Sequence, residues 1–159
     1  MTRIIRAPRA QVYRALLDPA DVQRWMVPDS MTSHVHAFDA HVGGGFRISL
    51  TYDIPSDAGR TGAGKTSART DTYHGTFVRL VPDEQVVQVL EFETSDPALR
   101  GLMTVTITLA DADSTDSTGG ETEITGVHDN LPRGVPPADN ELGWTESFAK
   151  LARLVEARA

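Results

Sequence analysis

The spacing of apolar positions changes twice along the chain. Near the start, Val12, Ala15 and Leu16 recur at helical spacing, and Pro8 suits the opening turn of such a helix. Asp18-Pro19 stops it, because the residue before a proline is steered away from helical angles. Asp18 is also placed to cap a second short helix, with Pro19 at its first position, running to about Trp25. From about residue 33 to 128 the period becomes two. Phe46, Ile48, Leu50 and Tyr52 alternate with Arg47, Ser49, Thr51 and Asp53, and Met103, Val105, Ile107 and Leu109 alternate with threonines. Such alternation predicts antiparallel strands with one buried and one wet face. Residues 73–81 and 84–93 read as two strands joined at Pro82-Asp83, and 122–128 as a last strand after the polar turn 112–120.

The period then returns to helical. Trp144, Phe148, Leu151 and Val155 form one apolar stripe, while Asp139, Glu146, Lys150, Arg153 and Glu156 occupy other faces. Segments 54–70 and 130–137 lack a regular pattern and read as surface loops. The predicted order is a strand, two short helices, a run of strands and a long C-terminal helix. That helix must bury its stripe, and the inner face of the sheet is the large apolar surface on offer. The fold class is therefore α+β: a curved antiparallel sheet wrapped around the last helix. A cavity is enclosed wherever the facing side chains do not fill the space.

Composition narrows the picture. A length of 159 residues suits a single domain, 1–159. A chain of this size buries roughly 70% of its unfolded surface without needing staples. Cysteine is absent, which excludes disulfides, thiolate nucleophiles and cysteine-ligated zinc and fits a reducing, cytoplasmic setting. The first residues hold no apolar stretch suited to a signal peptide, and no segment approaches the ~20 apolar residues of a membrane span. A net charge of −7, from 22 acidic against 15 basic residues, argues against nonspecific binding to nucleic acid or an anionic membrane. Arg3, Arg6, Arg9 and Arg14 are followed at once by Asp18 and Asp21 and read as a solvated surface.

Several pieces in this order resemble a known family. They are Ala7-Pro8 with Val12, Ala15 and Leu16, then Asp18-Pro19 followed by Trp25, and Gly43-Gly44-Gly45-Phe46 opening a strand. Tyr73-His74-Gly75-Thr76-Phe77 begins another strand, and Gly143-Trp144 lies on the last helix. Over nearly the whole length the chain resembles the START-like (SRPBCC) helix-grip superfamily, and within it the family of homologues of the activator of heat-shock protein 90 ATPase. The resemblance implies a cavity between sheet and last helix that holds a small hydrophobic or aromatic molecule. Small bacterial members resemble only the activator's C-terminal domain, so chaperone activation does not follow from the family's name. A homodimer is compatible with the resemblance, and no cofactor is implied.

Candidate chemistry is sparse. Gly59-Arg60-Thr61-Gly62-Ala63-Gly64-Lys65-Thr66 satisfies the phosphate-loop expression. The residues after it pass into a strand rather than a helix, and the surrounding pattern is antiparallel, so the match is read as accidental and the chain not as an ATPase. His34, His36, His41, His74 and His128 lack a ligand set at recognisable spacing, so no metal is assigned. His128 differs, because it is in phase with Ile124 and Gly126 and faces inward. Phe46, Tyr52, Tyr73, Phe77, Phe92, Met103, Trp144 and Phe148 share the predicted inner face, and with His128 they make up the expected pocket lining. Glu91 and Glu93 are out of phase and belong to the outer face. No serine sits in a nucleophile elbow, and no catalytic residue is assigned.

Three roles follow. The first is a binding module, with Tyr52, Tyr73 and His128 orienting the ligand. The second is an aromatase/cyclase- or hydrolase-type enzyme in which His128 or a tyrosine moves protons. The third is an interaction module stimulating a chaperone ATPase, which requires an exposed apolar patch.

Overall fold

The computed structural model describes residues 1–53, 66, 70–112 and 120–158. Strand β1 (Thr2–Ile5) leads into helices α1 (Arg9–Leu17) and α2 (Pro19–Trp25). Six strands follow: β2 (Met31–Phe38), β3 (Gly45–Tyr52), β4 (Thr70–Val81), β5 (Gln85–Phe92), β6 (Met103–Asp111) and β7 (Thr122–Asp129). Helix α3 (Pro137–Glu156) ends the fold. The strands form one sheet in the order β1-β7-β6-β5-β4-β3-β2, and every pairing is antiparallel. Register breaks between Val35 and Ala37 in β2, and between Phe77 and Arg79 in β4, bend the sheet around α3. This is the helix-grip arrangement the apolar pattern predicts.

Local chemistry sets the corners. Pro8, in an extended conformation, stands at the N-cap of α1. Asp18 caps α2 through Oδ1, which accepts from the Ala20 and Asp21 amides at 2.9 and 3.2 Å. Asp83, at φ +64°, makes the turn between β4 and β5. Gly44 is required where the β2–β3 connection doubles back, since a Cβ there would stand 2.1 Å from the Asp39 carbonyl oxygen.

The alternating residues face inward as the period-two pattern requires. Phe46, Ile48, Phe77, Leu90, Met103, Val105, Ile107 and Ile124 are buried with Phe148, Leu151 and Val155 of α3. Helices α1 and α2 contribute Val12, Leu16, Val22 and Trp25 to the same core.

Two details differ from the sequence reading. Pro97–Leu99 forms a 3-10 turn, capped by Asp96, where no element is expected. The segment 130–136 is not merely a surface loop. Pro132 and Val135 are buried, and the Gly134 amide donates to the Ala98 carbonyl at 2.8 Å, so that turn and this segment pack together.

Residues 59–65 of the phosphate-loop match lie outside the described residues. Its last member, Thr66, donates its amide to the Thr70 carbonyl at 2.9 Å and accepts from the Thr72 amide through Oγ1 at 2.7 Å. Thr66 is thus tied to the start of β4, where a phosphate loop needs a helix N-terminus. Among the described residues, no helix is long and apolar enough to cross a membrane.

Candidate functional site

Helix α3 covers the sheet unevenly. Ser147, Phe148, Leu151, Ala152 and Val155 are buried, whereas no residue of 137–146 is. The second half of the helix seals the core. The first half stands over the ends of β3, β4 and β7, where the inward side chains become polar: Tyr52, Asp71 and His128.

His128 is half-buried near the end of β7, opposite Val105 of β6. Its Nδ1 lies 3.0 Å from the Asn140 side-chain nitrogen, and its Nε2 lies 3.2 Å from the Met103 sulfur. The Trp144 ring meets it edge-on at 6.5 Å. Trp144 in turn touches Phe148 at 5.7 Å, and Phe148 lies 6.5 Å from Trp25, so an aromatic chain runs from the site into the core. Burial holds the His128 pKa below its ordinary value, against the pull of neighbouring Asp129, and the ring is neutral near pH 7.

Tyr52 is half-buried at the end of β3. Burial, first, and then the charge of Asp71 push its pKa up to about 12, and its hydroxyl hydrogen-bonds the Asp71 carboxylate. Asp139, in the first turn of α3, adds to the shift, so the helix start lies within electrostatic reach of the phenol. Asp71 itself is only 4% exposed.

The nine residues expected to line a pocket divide into two groups. Phe46, Tyr73, Phe77, Met103 and Phe148 lie in the packed core. The Phe77 ring is 5.3 Å from both Phe46 and Phe38. Tyr73 donates its hydroxyl to the Met26 sulfur at 3.2 Å, and burial raises its pKa, so its polar tip is already engaged. Tyr52, Phe92, His128 and Trp144 are half-buried, with Phe92 directly across from Tyr73 in the β4–β5 register.

Sequence reasoning missed Asn140, Asp71 and Asp139. Signals for two of them exist: Asn140 continues the apolar stripe one turn before Trp144, and Asp71 is in phase with Tyr73.

The other histidines lie elsewhere. His34 and His36 are exposed with rings 4.6 Å apart, and His36 contacts the Ser49 hydroxyl at 2.7 Å. His41 pairs with Asp39. His74 sits between Glu91 and Glu93 at 3.2 and 3.1 Å, and Arg47 grips Glu93 with two hydrogen bonds. This puts Glu91 and Glu93 on the outer face, as their phase predicts. No group of three or more potential metal ligands occurs among the described residues.

Comparison with known proteins places this geometry. A crystal structure of a Chromobacterium violaceum protein is 31% identical, with a TM-score of 0.76 over 98% of this chain and 94% of that one. A Rhodobacter sphaeroides protein shares the fold at 19% identity and a TM-score of 0.72, over 99% of this chain and 91% of its own. DynU16, a protein from the dynemicin biosynthetic locus, shares it at 19% identity and a TM-score of 0.59, over 98% of this chain and 46% of that one. A comparison with curated protein sequences finds no match. The model of one family matches residues 6–156, and the chain belongs to that family, the activator of Hsp90 ATPase homolog 1-like proteins.

Proposed function

We propose that the chain, acting as one START-like domain over 1–159, binds a small hydrophobic or aromatic molecule between the sheet and the first half of α3. The observation that carries this is the uneven burial of α3. A 20-residue helix whose first ten residues contribute nothing buried is not packed down onto the sheet along that half. The stretch carries the half-buried Trp144, whose ring meets the half-buried His128 of β7, and its Asp139 lies within electrostatic reach of the half-buried Tyr52 of β3. That mixture suits an apolar ligand oriented by a few hydrogen bonds.

The composition supports a cytoplasmic setting, and no reaction is needed for this role. Chaperone stimulation has weaker support. The exposed large apolar residues Ile4, Val42, Val78, Leu102, Val127 and Leu142 fall on separate strands, turns and a helix.

The test is native mass spectrometry of the purified protein, extraction of anything bound, and titration of Trp144 fluorescence with fused-ring aromatics and fatty acids. A Trp144→Phe variant identifies the signal, because Trp25 is the only other tryptophan. A co-purifying apolar molecule, or saturable quenching of Trp144, is expected. An empty protein whose Trp144 emission no member of the panel moves would overturn the reading.

A further inference from the structure

The two ring nitrogens of His128 have neighbours of opposite character. Met103 has no hydrogen to give, so the 3.2 Å contact to its sulfur requires Nε2 to be the donor. The Asn140 side-chain nitrogen, 3.0 Å from Nδ1, is a donor, so Nδ1 must be the acceptor. The two contacts agree on one tautomer, neutral with its proton on Nε2. A protonated ring would set two donors against each other at Nδ1, and the burial of the site opposes the charge as well.

Asn140 lies in the first turn of α3, in the half of the helix that contributes nothing buried to the core. A thioether is a weak acceptor, and Met103, at 0% exposure, is held in place by the core around it. The Nε2–H therefore has a poor partner and stands to gain from a better one.

We propose that Asn140 positions His128 as the Nε2–H tautomer, that this N–H is the polar anchor of the site, and that the ligand is a neutral apolar or aromatic molecule presenting a carbonyl oxygen to it. This rests on the ligand-binding reading above and narrows it to a ligand class. Asp129 lies within electrostatic reach of the anchor, and Asp71 and Asp139 within reach of Tyr52, a negative setting that opposes a carboxylate or phosphate ligand. The tautomer also removes one enzymatic role. A nitrogen that carries the proton cannot take one from a substrate, so His128 donates a hydrogen bond and does not act as a base at Nε2.

Two measurements on the intact protein test this. Long-range proton–nitrogen NMR of histidine-labelled protein reads the tautomer directly: a protonated nitrogen at Nε2 and a bare one at Nδ1 are expected. Asn140→Asp replaces the donor with a carboxylate, so in the neutral ring, read at mildly alkaline pH, the proton is expected to move to Nδ1. Binding is read with two probes of the same shape, 2-acetylnaphthalene and 2-isopropenylnaphthalene, which differ in a carbonyl oxygen against a methylene. The wild type is expected to prefer the ketone by roughly twofold to tenfold, the range of one neutral hydrogen bond. That preference should fall to about one in both Asn140→Asp and His128→Phe.

A merely structural Asn140 would weaken both probes equally and leave the ratio unchanged, which overturns the proposal. So does an Nδ1–H or doubly protonated ring in the wild type. Both probes binding with no preference sinks the anchor and leaves the ligand-binding reading standing. Binding of neither probe defeats the ligand-binding reading, and the anchor with it.

Discussion

Trp25 gives Ala15 the hydrogen bond that Pro19 cannot. In a continuing helix the Ala15 carbonyl would accept from the amide four residues on, but residue 19 is a proline and has none. The Trp25 indole Nε1–H donates to that carbonyl at 2.9 Å instead. Ala15 is 1% exposed and Trp25 0%, so water has no access to the pair. One interaction thus satisfies the end of α1 and folds α2 back against it.

Replacing Trp25 by phenylalanine keeps most of the apolar bulk and deletes the donor. The stranded carbonyl costs about 1–3 kcal/mol, and the smaller ring leaves a void that adds to it. Urea denaturation of Trp25→Phe should show a lower midpoint at unchanged slope. A midpoint equal to that of the wild type would mean the carbonyl finds another donor.

Gly126 carries a second packing constraint. A Cβ there would stand 3.0 and 3.2 Å from two atoms of the Phe148 ring and 3.3 Å from the Met1 methyl. Alanine in place of glycine within a strand ordinarily gains roughly 0.5–1 kcal/mol from backbone entropy. Overpacking costs about 1–3 kcal/mol, and the Phe148 ring is hemmed in by Trp25 and Trp144. Gly126→Ala is therefore expected to destabilise, with a lower melting temperature. A variant melting at or above the wild type would show that the ring slides aside.

Much of this was legible in the sequence because burial sets the period of apolar residues. Phe46 to Tyr52 and Met103 to Leu109 could only alternate as half-wet strands, and the stripe from Trp144 to Val155 needed a sheet to cover it. Asp18-Pro19 announced a helix stop and a cap in two residues. What periodicity does not encode is which strand pairs with which. That β1 lies at the sheet edge beside β7, with Thr2 opposite Thr125, follows from the assembly of the whole sheet and not from any local signal. The candidate site suffered the same limit. Phase alone places His128 on the inner face, but its partner Asn140 sits on another element, where a single polar residue in an apolar stripe reads as a helix end.

Glu93 gives the outer face a pH dependence. Hydrogen bonding from Arg47, then from His74, lowers its pKa to about 2 from the ordinary 4.5. A depressed folded-state pKa adds stability that is fully present above the unfolded value and is lost as pH falls through the folded one. The window therefore runs from about 4.5 down to about 2. Glu93→Gln removes this term, so its stability should fall less steeply than that of the wild type across the window. Parallel acid limbs for the two proteins would show that Arg47 and His74 leave Glu93 unperturbed.

The tyrosines make the opposite prediction at high pH. All three are shifted upward from an ordinary value near 10: Tyr13 by burial and then Asp83, Tyr52 to about 12 by burial and then Asp71, and Tyr73 by burial. A raised folded-state pKa contributes stability that is complete below the unfolded value and is lost as pH climbs through the folded one. The unfolded chain ionises its phenols near 10 while the folded protein holds them neutral, so stability should decline from that pH upward. Tyrosinate absorbance followed beside far-ultraviolet circular dichroism reads both events, and ionisation is expected to coincide with unfolding. Tyr52→Phe should give a shallower decline between about 10 and about 12, although it also loses the bond to Asp71. A phenol that ionises near pH 10 in protein that is still folded, and whose signal is lost in Tyr52→Phe, would be that of Tyr52, a half-buried tyrosine of the candidate site. That result would mean water already reaches the place assigned to the ligand.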